Sequence, residues 1–192
     1  GTMIGPFGGC YSIRKKLFEP VPPNFTVDDF FINMKVLEKG YATINDFQAK
    51  VYEDVSNNLS DEFRRKVRIA IGNFQNLMTF KNLLWPPYTG LSFSFLSHKV
   101  LRWLTPFFIL IAYYANMKLA VNHVFYEYIL IGFTALFFVP LFDFLLKKVN
   151  IHLIPLRFVT HFFGMNAALF MGFVKYLNGI ESNVWKPTKR NQ

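Results

Sequence analysis

Three apolar runs in the second half of the chain restrict its fold more than any other feature. They cover residues 103–117, 128–142 and 158–174, and His161 is the only acidic or basic side chain within them. Each is somewhat shorter than the roughly 20 residues with which a helix crosses a bilayer, but flanking Tyr, Trp and Lys extend its reach. We therefore predict two or three transmembrane helices rather than the buried helices of a large soluble core.

Charge divides the chain at about the same place. Residues 1–82 contain 11 Lys/Arg and 9 Asp/Glu, whereas residues 83–192 contain 10 Lys/Arg and 3 acids, so most of the net charge of +9 lies in the apolar part. These basic residues flank apolar runs instead of forming a stripe on a polar face. The pattern indicates membrane lipids as a partner and no nucleic acid.

The polar part alternates predicted helices with predicted strands. A short helix is expected over residues 11–18, and another from Thr26 or Asp28, either of which can cap it, to about Glu38, before Gly40. Residues 41–44 and 49–52 are predicted to be short strands. A long helix from Ser60 to about Phe80 and a second amphipathic piece over residues 91–102 complete the pattern.

The adjacent carboxylates Asp28 and Asp29 are candidates for acid–base chemistry. A carboxylate within hydrogen-bond reach of a hydroxyl can remove its proton while the oxygen attacks an activated carbon. The alternative is structural, because an Asp pair at a helix start is commonly a cap. We interpret Asp29 as the general base and Asp28 as a cap or supporting residue.

A basic cluster follows on the long helix, formed by Arg64, Arg65, Lys66 and Arg68. Guanidinium groups match the oxygens of a diphosphate and stay charged, so Arg68 and Arg65 are candidate diphosphate ligands. The alternative partner of this cluster is the anionic headgroups of a membrane, and we assign Arg64 to solvent or lipid.

A small-residue turn near the start, Gly8-Gly9-Cys10, is a candidate to place backbone amides near the acceptor, the molecule whose hydroxyl loses its proton. The alternative is structural, because a glycine-rich turn commonly serves only to reverse the chain. Cys10 is the only cysteine, which excludes an intrachain disulfide. The four histidines show no metal-ligand spacing, and no metal site is predicted within the chain.

Taken in order, these motifs resemble the second half of a membrane-bound family 2 glycosyltransferase, the group that includes cellulose, chitin and hyaluronan synthases. Residues 5–15 look like the family's small-residue turn and basic pair, and residues 27–29 look like its acidic motif, which implies that Asp29 is the catalytic base. Residues 65–69 are similar to its Gln-x-x-Arg-Trp motif, which gives Arg68 the diphosphate. Residues 185–190 are similar to a Trp-x-x-Thr-x-Arg tail.

Two residues depart from that motif, since Arg65 replaces its Gln and Ile69 replaces its Trp. The replacement of Trp by Ile69 favours transfer of one or a few sugars over processive polymerisation. The family's Asp-x-Asp metal motif has no counterpart here. The resemblance therefore implies a C-terminal part of an enzyme, inactive alone, with Mg²⁺ or Mn²⁺ held by ligands outside this chain.

From these observations we expect an α/β fold, the C-terminal part of a GT-A-like domain, followed by interfacial and transmembrane helices. The expected divisions are a catalytic part over 1–60, interfacial helices over 61–102, transmembrane helices over 103–177 and a basic tail over 178–192. The expected reaction moves a sugar from a nucleotide-diphosphate sugar to a lipid or saccharide acceptor at the cytoplasmic membrane face. The alternative is a non-catalytic membrane anchor that binds a partner protein.

Overall fold

The computed structural model describes residues 5, 8, 10–46, 48–52 and 59–179. Of these residues, 71% are helical, and none belongs to a strand or sheet. The predicted α/β, GT-A-like fold is therefore wrong for this part of the chain. Gly9 of the predicted turn and residues 180–192 of the predicted tail lie outside the described residues.

The two predicted strands are extended or irregular segments with no regular pairing. Most of their side chains face solvent, and Ile44 and Tyr52 are 87% and 89% exposed. A strand needs the backbone of a neighbour to complete its hydrogen bonds, and a short isolated one is unstable in water. The residue types of these segments predicted strands, but no neighbouring strand pairs with them within the described residues.

The helices follow the apolar spacing of the sequence closely. They are α1 (Asp28–Glu38), α2 (Leu59–Thr79), α3 (Gly90–Phe95), α4 (Leu101–Trp103), α5 (Thr105–Ala120), α6 (Val124–Lys148) and α7 (Ile154–Leu177), with a π-helical turn, Leu96–Val100, between α3 and α4. Short 3₁₀ turns cover Lys15–Leu17 and Lys81–Leu84. The helix expected over residues 11–18 is thus limited to a single turn, whereas α1 ends before Gly40, whose φ is +79°.

The chain divides into two compact units, Gly1–Trp103 with Met171–Gln192, and Leu104–Phe170. In the first unit, the apolar face of α1 is the centre of an aromatic cluster. The ring of Phe30 lies 6.2 Å from that of Phe95 and 5.7 Å from that of Trp103, and the ring of Phe31 lies 5.6 Å from that of Phe80. This packing fixes the start of α1, where the two aspartates lie.

Helix α2 belongs to the same unit and buries the apolar stripe that its sequence predicts. Val67, Ala70 and Phe74 are buried, and the ring of Phe74 lies 5.0 Å from that of Phe173 at the end of α7. The stripe therefore packs against protein and leaves the basic residues of α2 on its other faces.

The second unit consists of α5, α6 and the first part of α7. Tyr113 joins α5 to α6, since its hydroxyl lies 3.2 Å from that of Thr134 and its ring lies 5.4 Å from that of Phe137. Phe137 also contacts Phe163 of α7, with the two tilted rings 4.9 Å apart between centroids. Aromatic contacts therefore hold the three helices together.

Among the described residues, one helix, α6, is long and apolar enough to cross a membrane, and its most apolar 18-residue stretch has a mean hydropathy of 2.3. The stretch Gly90–Trp103 and Thr105–Ala120 qualifies only when the two pieces are counted together as one broken span. Large apolar side chains of α6 are exposed, among them Tyr128 at 71% and Phe138 at 62%.

Candidate active site

Asp29 lies in the first turn of α1 and is half-buried. Its Oδ1 accepts a hydrogen bond of 2.7 Å from the backbone N–H of Phe30. On its other side the backbone of Gly8 comes so close that a Cβ there would lie 2.7 Å from Asp29 Oδ2. The aspartate is thus held between the helix start and the small-residue turn.

The surroundings of Asp29 favour its protonated form more than water does. Burial raises the pKa of this carboxyl most, and the charge of Asp28 raises it further, while the Phe30 N–H and Lys99 oppose the change. A carboxylate with a raised pKa is a stronger base at the pH where it is still ionised. This property suits a group that removes a proton from a hydroxyl.

Asp28 is exposed and is the first residue of α1. The cap position is Val27, and no side chain there makes a capping hydrogen bond, so the prediction that Thr26 or Asp28 caps the helix is wrong. Both carboxylates lie in the first turn, where the positive end of the helix dipole favours negative charge.

Arg68 projects from α2 toward the segment that leads into α1. Its Nη1 donates a 3.0 Å hydrogen bond to the carbonyl of Thr26, and the Thr26 hydroxyl donates to the Arg68 carbonyl at 3.1 Å. Burial lowers the pKa of Arg68, and so does the nearby charge of Arg65, whereas Asp28 and Asp29 raise it. The guanidinium is therefore both anchored and close enough to the aspartates to interact with them electrostatically.

Two further residues of α2 hold the same segment, and the sequence analysis missed both. Gln75 accepts a 3.0 Å hydrogen bond from the N–H of Thr26 and donates a 2.8 Å bond to the carbonyl of Asn24. A Cβ on Gly72 would lie 2.5 Å from Val27 Cγ2, so only glycine allows this approach. Their spacing could have indicated these two residues, since positions 68, 72 and 75 share one helix face.

A cleft of about 1920 Å³ in the first unit brings most of the predicted site residues together. Its lining includes Gly8, Cys10, Asp28, Asp29, Arg65 and Arg68. Arg64, which the sequence analysis assigned to solvent or lipid, is exposed and pairs with Asp61. Carboxylates and guanidinium groups therefore face one space that is large enough for a saccharide or a nucleotide.

Among the described residues, no group of three or more His, Cys, Asp or Glu side chains gathers to hold a divalent metal. These residues therefore do not by themselves form the Mg²⁺ or Mn²⁺ site that the resemblance implies, and no chemical step is assigned to a metal here.

Residues 1–147 match the family described as glycosyl transferase family group 2, and the chain therefore belongs to that family. The match includes every residue predicted to act in the site, and it identifies the general activity as glycosyl transfer. No curated protein and no solved structure matches the chain.

Proposed function

We propose that this chain forms the acceptor side of an inverting glycosyltransferase that uses a nucleotide-diphosphate sugar. Asp29 takes the proton of the acceptor hydroxyl while that oxygen forms a bond to the anomeric carbon. The bond from this carbon to the diphosphate oxygen breaks, and its electron pair leaves with the nucleoside diphosphate. Asp28 supports the base, because its charge raises the pKa of Asp29.

The observation that carries this proposal is the shared cleft of Asp29, Arg65 and Arg68. A base and a site for the departing diphosphate must lie on either side of one reacting carbon. The alternative, a non-catalytic anchor, predicts that Asp29 and Arg68 lie far apart or face lipid, and their common cleft favours the transferase.

Arg68 and Arg65 divide the recognition of the diphosphate in this proposal. The Arg68 guanidinium is oriented by Thr26, while Arg65 is exposed at the cleft and retains more freedom to move. The two positive charges stabilise the negative charge that develops on the leaving diphosphate. The acceptor, a lipid or a saccharide, is assigned to the side of the cleft that Gly8 and Cys10 line.

We place the ligands of a divalent Mg²⁺ or Mn²⁺ outside this chain. We also place the cleft at the cytoplasmic face of a membrane, because the same chain contains α6, whose exposed apolar surface suits contact with lipid. This arrangement lets a water-soluble donor meet an acceptor at the bilayer surface.

The test uses the natural gene product in its own membranes, supplied with a panel of nucleotide-diphosphate sugars. Release of nucleoside diphosphate and labelling of an acceptor are measured for the wild type and for Asp29→Asn. We expect the substitution to lower the transfer rate by about 100-fold or more, the range for loss of a general base.

Glu38→Gln is the matched control, because Glu38 is an exposed carboxylate at the other end of α1. We expect this variant to transfer sugar at the wild-type rate. Normal transfer by Asp29→Asn would overturn the assignment of the base.

A further inference from the structure

Lys99 lies beside the candidate base, although no sequence motif singles it out. It belongs to the π-helical turn Leu96–Val100, and its ammonium lies 5.3 Å from the centroid of the Phe30 ring. It also approaches Gly5, since a Cβ on that residue would lie 3.1 Å from Lys99 Nζ. Phe30 directly follows Asp29, and Gly5 precedes the turn that contacts Asp29.

The position of Lys99 is fixed by the aromatic cluster around Phe30. The residues that flank the π-helical turn, Phe95 and Trp103, are buried and lie 5.9 Å apart between ring centroids. Both rings also pack on Phe30. Lys99 is only partly exposed, so this packing holds its ammonium on the protein.

Lys99 is absent from the residues that line the described cleft, whereas Asp29 is among them. Lys99 therefore influences the cleft through its charge acting on Asp29, and not through direct contact with a substrate. A cation behind a half-buried carboxylate stabilises its ionised form and opposes the cost of burial. Its effect on Asp29 is in that direction.

We propose that Lys99, whose ammonium is held against the Phe30 ring and the Gly5 backbone on either side of the base, is a positioning residue that favours the charged form of Asp29. This role rests on the proposed function of Asp29 as the base. It assigns to the amphipathic segment after α2 a part in sugar transfer as well as in membrane contact.

Several other titratable groups interact electrostatically with Asp29 from the elements packed against it. Asp28 lies beside it on α1, Tyr11 lies in the preceding segment, and Arg68 approaches from α2. Arg102 lies near Lys99 and adds to the positive charge there. Of these groups, Asp28 opposes the ionisation of Asp29, and only Lys99 would be changed in the test.

The test compares Lys99→Met with the wild type by measuring the pH dependence of kcat/KM in native membranes. Transfer requires ionised Asp29, so activity falls as pH falls through the pKa of this group. Without the cation that pKa rises, and we expect the acid limb to move to higher pH while the plateau at high pH is retained.

Two controls separate this effect from a loss of structure or of lipid binding. Lys99→Arg keeps the charge and should restore the wild-type acid limb. Lys81→Met removes an exposed lysine of the same unit and should leave the limb unchanged. An unchanged acid limb in Lys99→Met, or an equal loss at every pH that Lys99→Arg does not restore, would overturn the proposal.

A second readout needs no sugar transfer. Infrared difference spectroscopy of the purified full-length protein in lipid nanodiscs, with Asp29→Asn as the blank, follows the protonation of the Asp29 carboxyl. Its midpoint should rise in Lys99→Met, and a constant midpoint contradicts the inference. If Asp29→Asn transfers sugar normally, the proposed function fails instead, whatever the spectroscopic midpoint.

Discussion

Asp29 occupies a position where opposing effects meet. The helix start and the N–H of Phe30 favour its charge, whereas burial and Asp28 oppose it. The sequence indicates the acidic pair but leaves a cap and a base as alternatives. The structure adds the contact with Gly8, which depends on how two separate segments fold together and has no local signature.

The contact between Gly8 and Asp29 gives a prediction at this scale. In Gly8→Ala the new methyl group would overlap Asp29 Oδ2, so the carboxylate must turn away. We expect kcat to fall by about 100-fold, as happens when a reacting group is displaced by roughly 1 Å. Steady-state sugar transfer by folded protein measures the change.

Gly132→Ala is the matched control, because a Cβ at Gly132 meets no atom within 4 Å. This variant should transfer sugar normally. Full activity of Gly8→Ala would show that the turn does not position the base.

At the scale of elements, α2 holds the segment before α1 through one face. Arg68 and Gln75 hydrogen-bond to Thr26, and Gly72 lies between them against Val27. The apolar spacing of α2 predicted the helix and its buried stripe, because the helical period is local. It did not predict which segment the polar face would bind, because that partner is distant in sequence.

The close approach at Gly72 predicts a loss of stability in Gly72→Ala. The added methyl group would meet Val27 and Thr26, and we expect a cost of about 1–3 kcal/mol, the usual range for overpacking. For a chain of this size the melting temperature should fall by about 2–12 °C. Thermal unfolding in nanodiscs measures the fall.

Gly164→Ala provides the comparison, since a Cβ at this position of helix α7 would also meet no atom within 4 Å. This change should leave the melting temperature the same or raise it slightly. Equal melting temperatures for Gly72→Ala and the wild type would contradict the described contact between α2 and the entry to α1.

At the scale of the whole molecule, the sequence predicted the helices better than the fold class. Runs of apolar residues define α5, α6 and α7 without reference to any partner. The prediction of two strands was wrong because a strand needs a second segment to pair with. Residues 41–44 and 49–52 have no partner strand among the described residues. Lys99 was missed for a related reason, since the folded chain alone brings it to Asp29.

The proposed membrane orientation can be tested with the single cysteine. Cys10 is exposed and lines the cleft, so a membrane-impermeant maleimide should label it in sealed vesicles that present the cytoplasmic face. Sealed vesicles of the opposite orientation should remain unlabelled, and Cys10→Ser gives the background. Labelling only from the non-cytoplasmic face would reverse the proposed orientation.

The most direct measurement of the central claim is the dependence of transfer rate on donor concentration in two variants. If Asp29 is the base, Asp29→Asn lowers kcat and leaves the donor KM nearly unchanged. If Arg65 binds the diphosphate, Arg65→Gln raises the donor KM by about tenfold, equivalent to one charge-assisted hydrogen bond, with kcat less affected. Arg64→Gln, outside the cleft lining, should change neither value. Wild-type kinetics in both Asp29→Asn and Arg65→Gln would contradict a transfer site in this cleft.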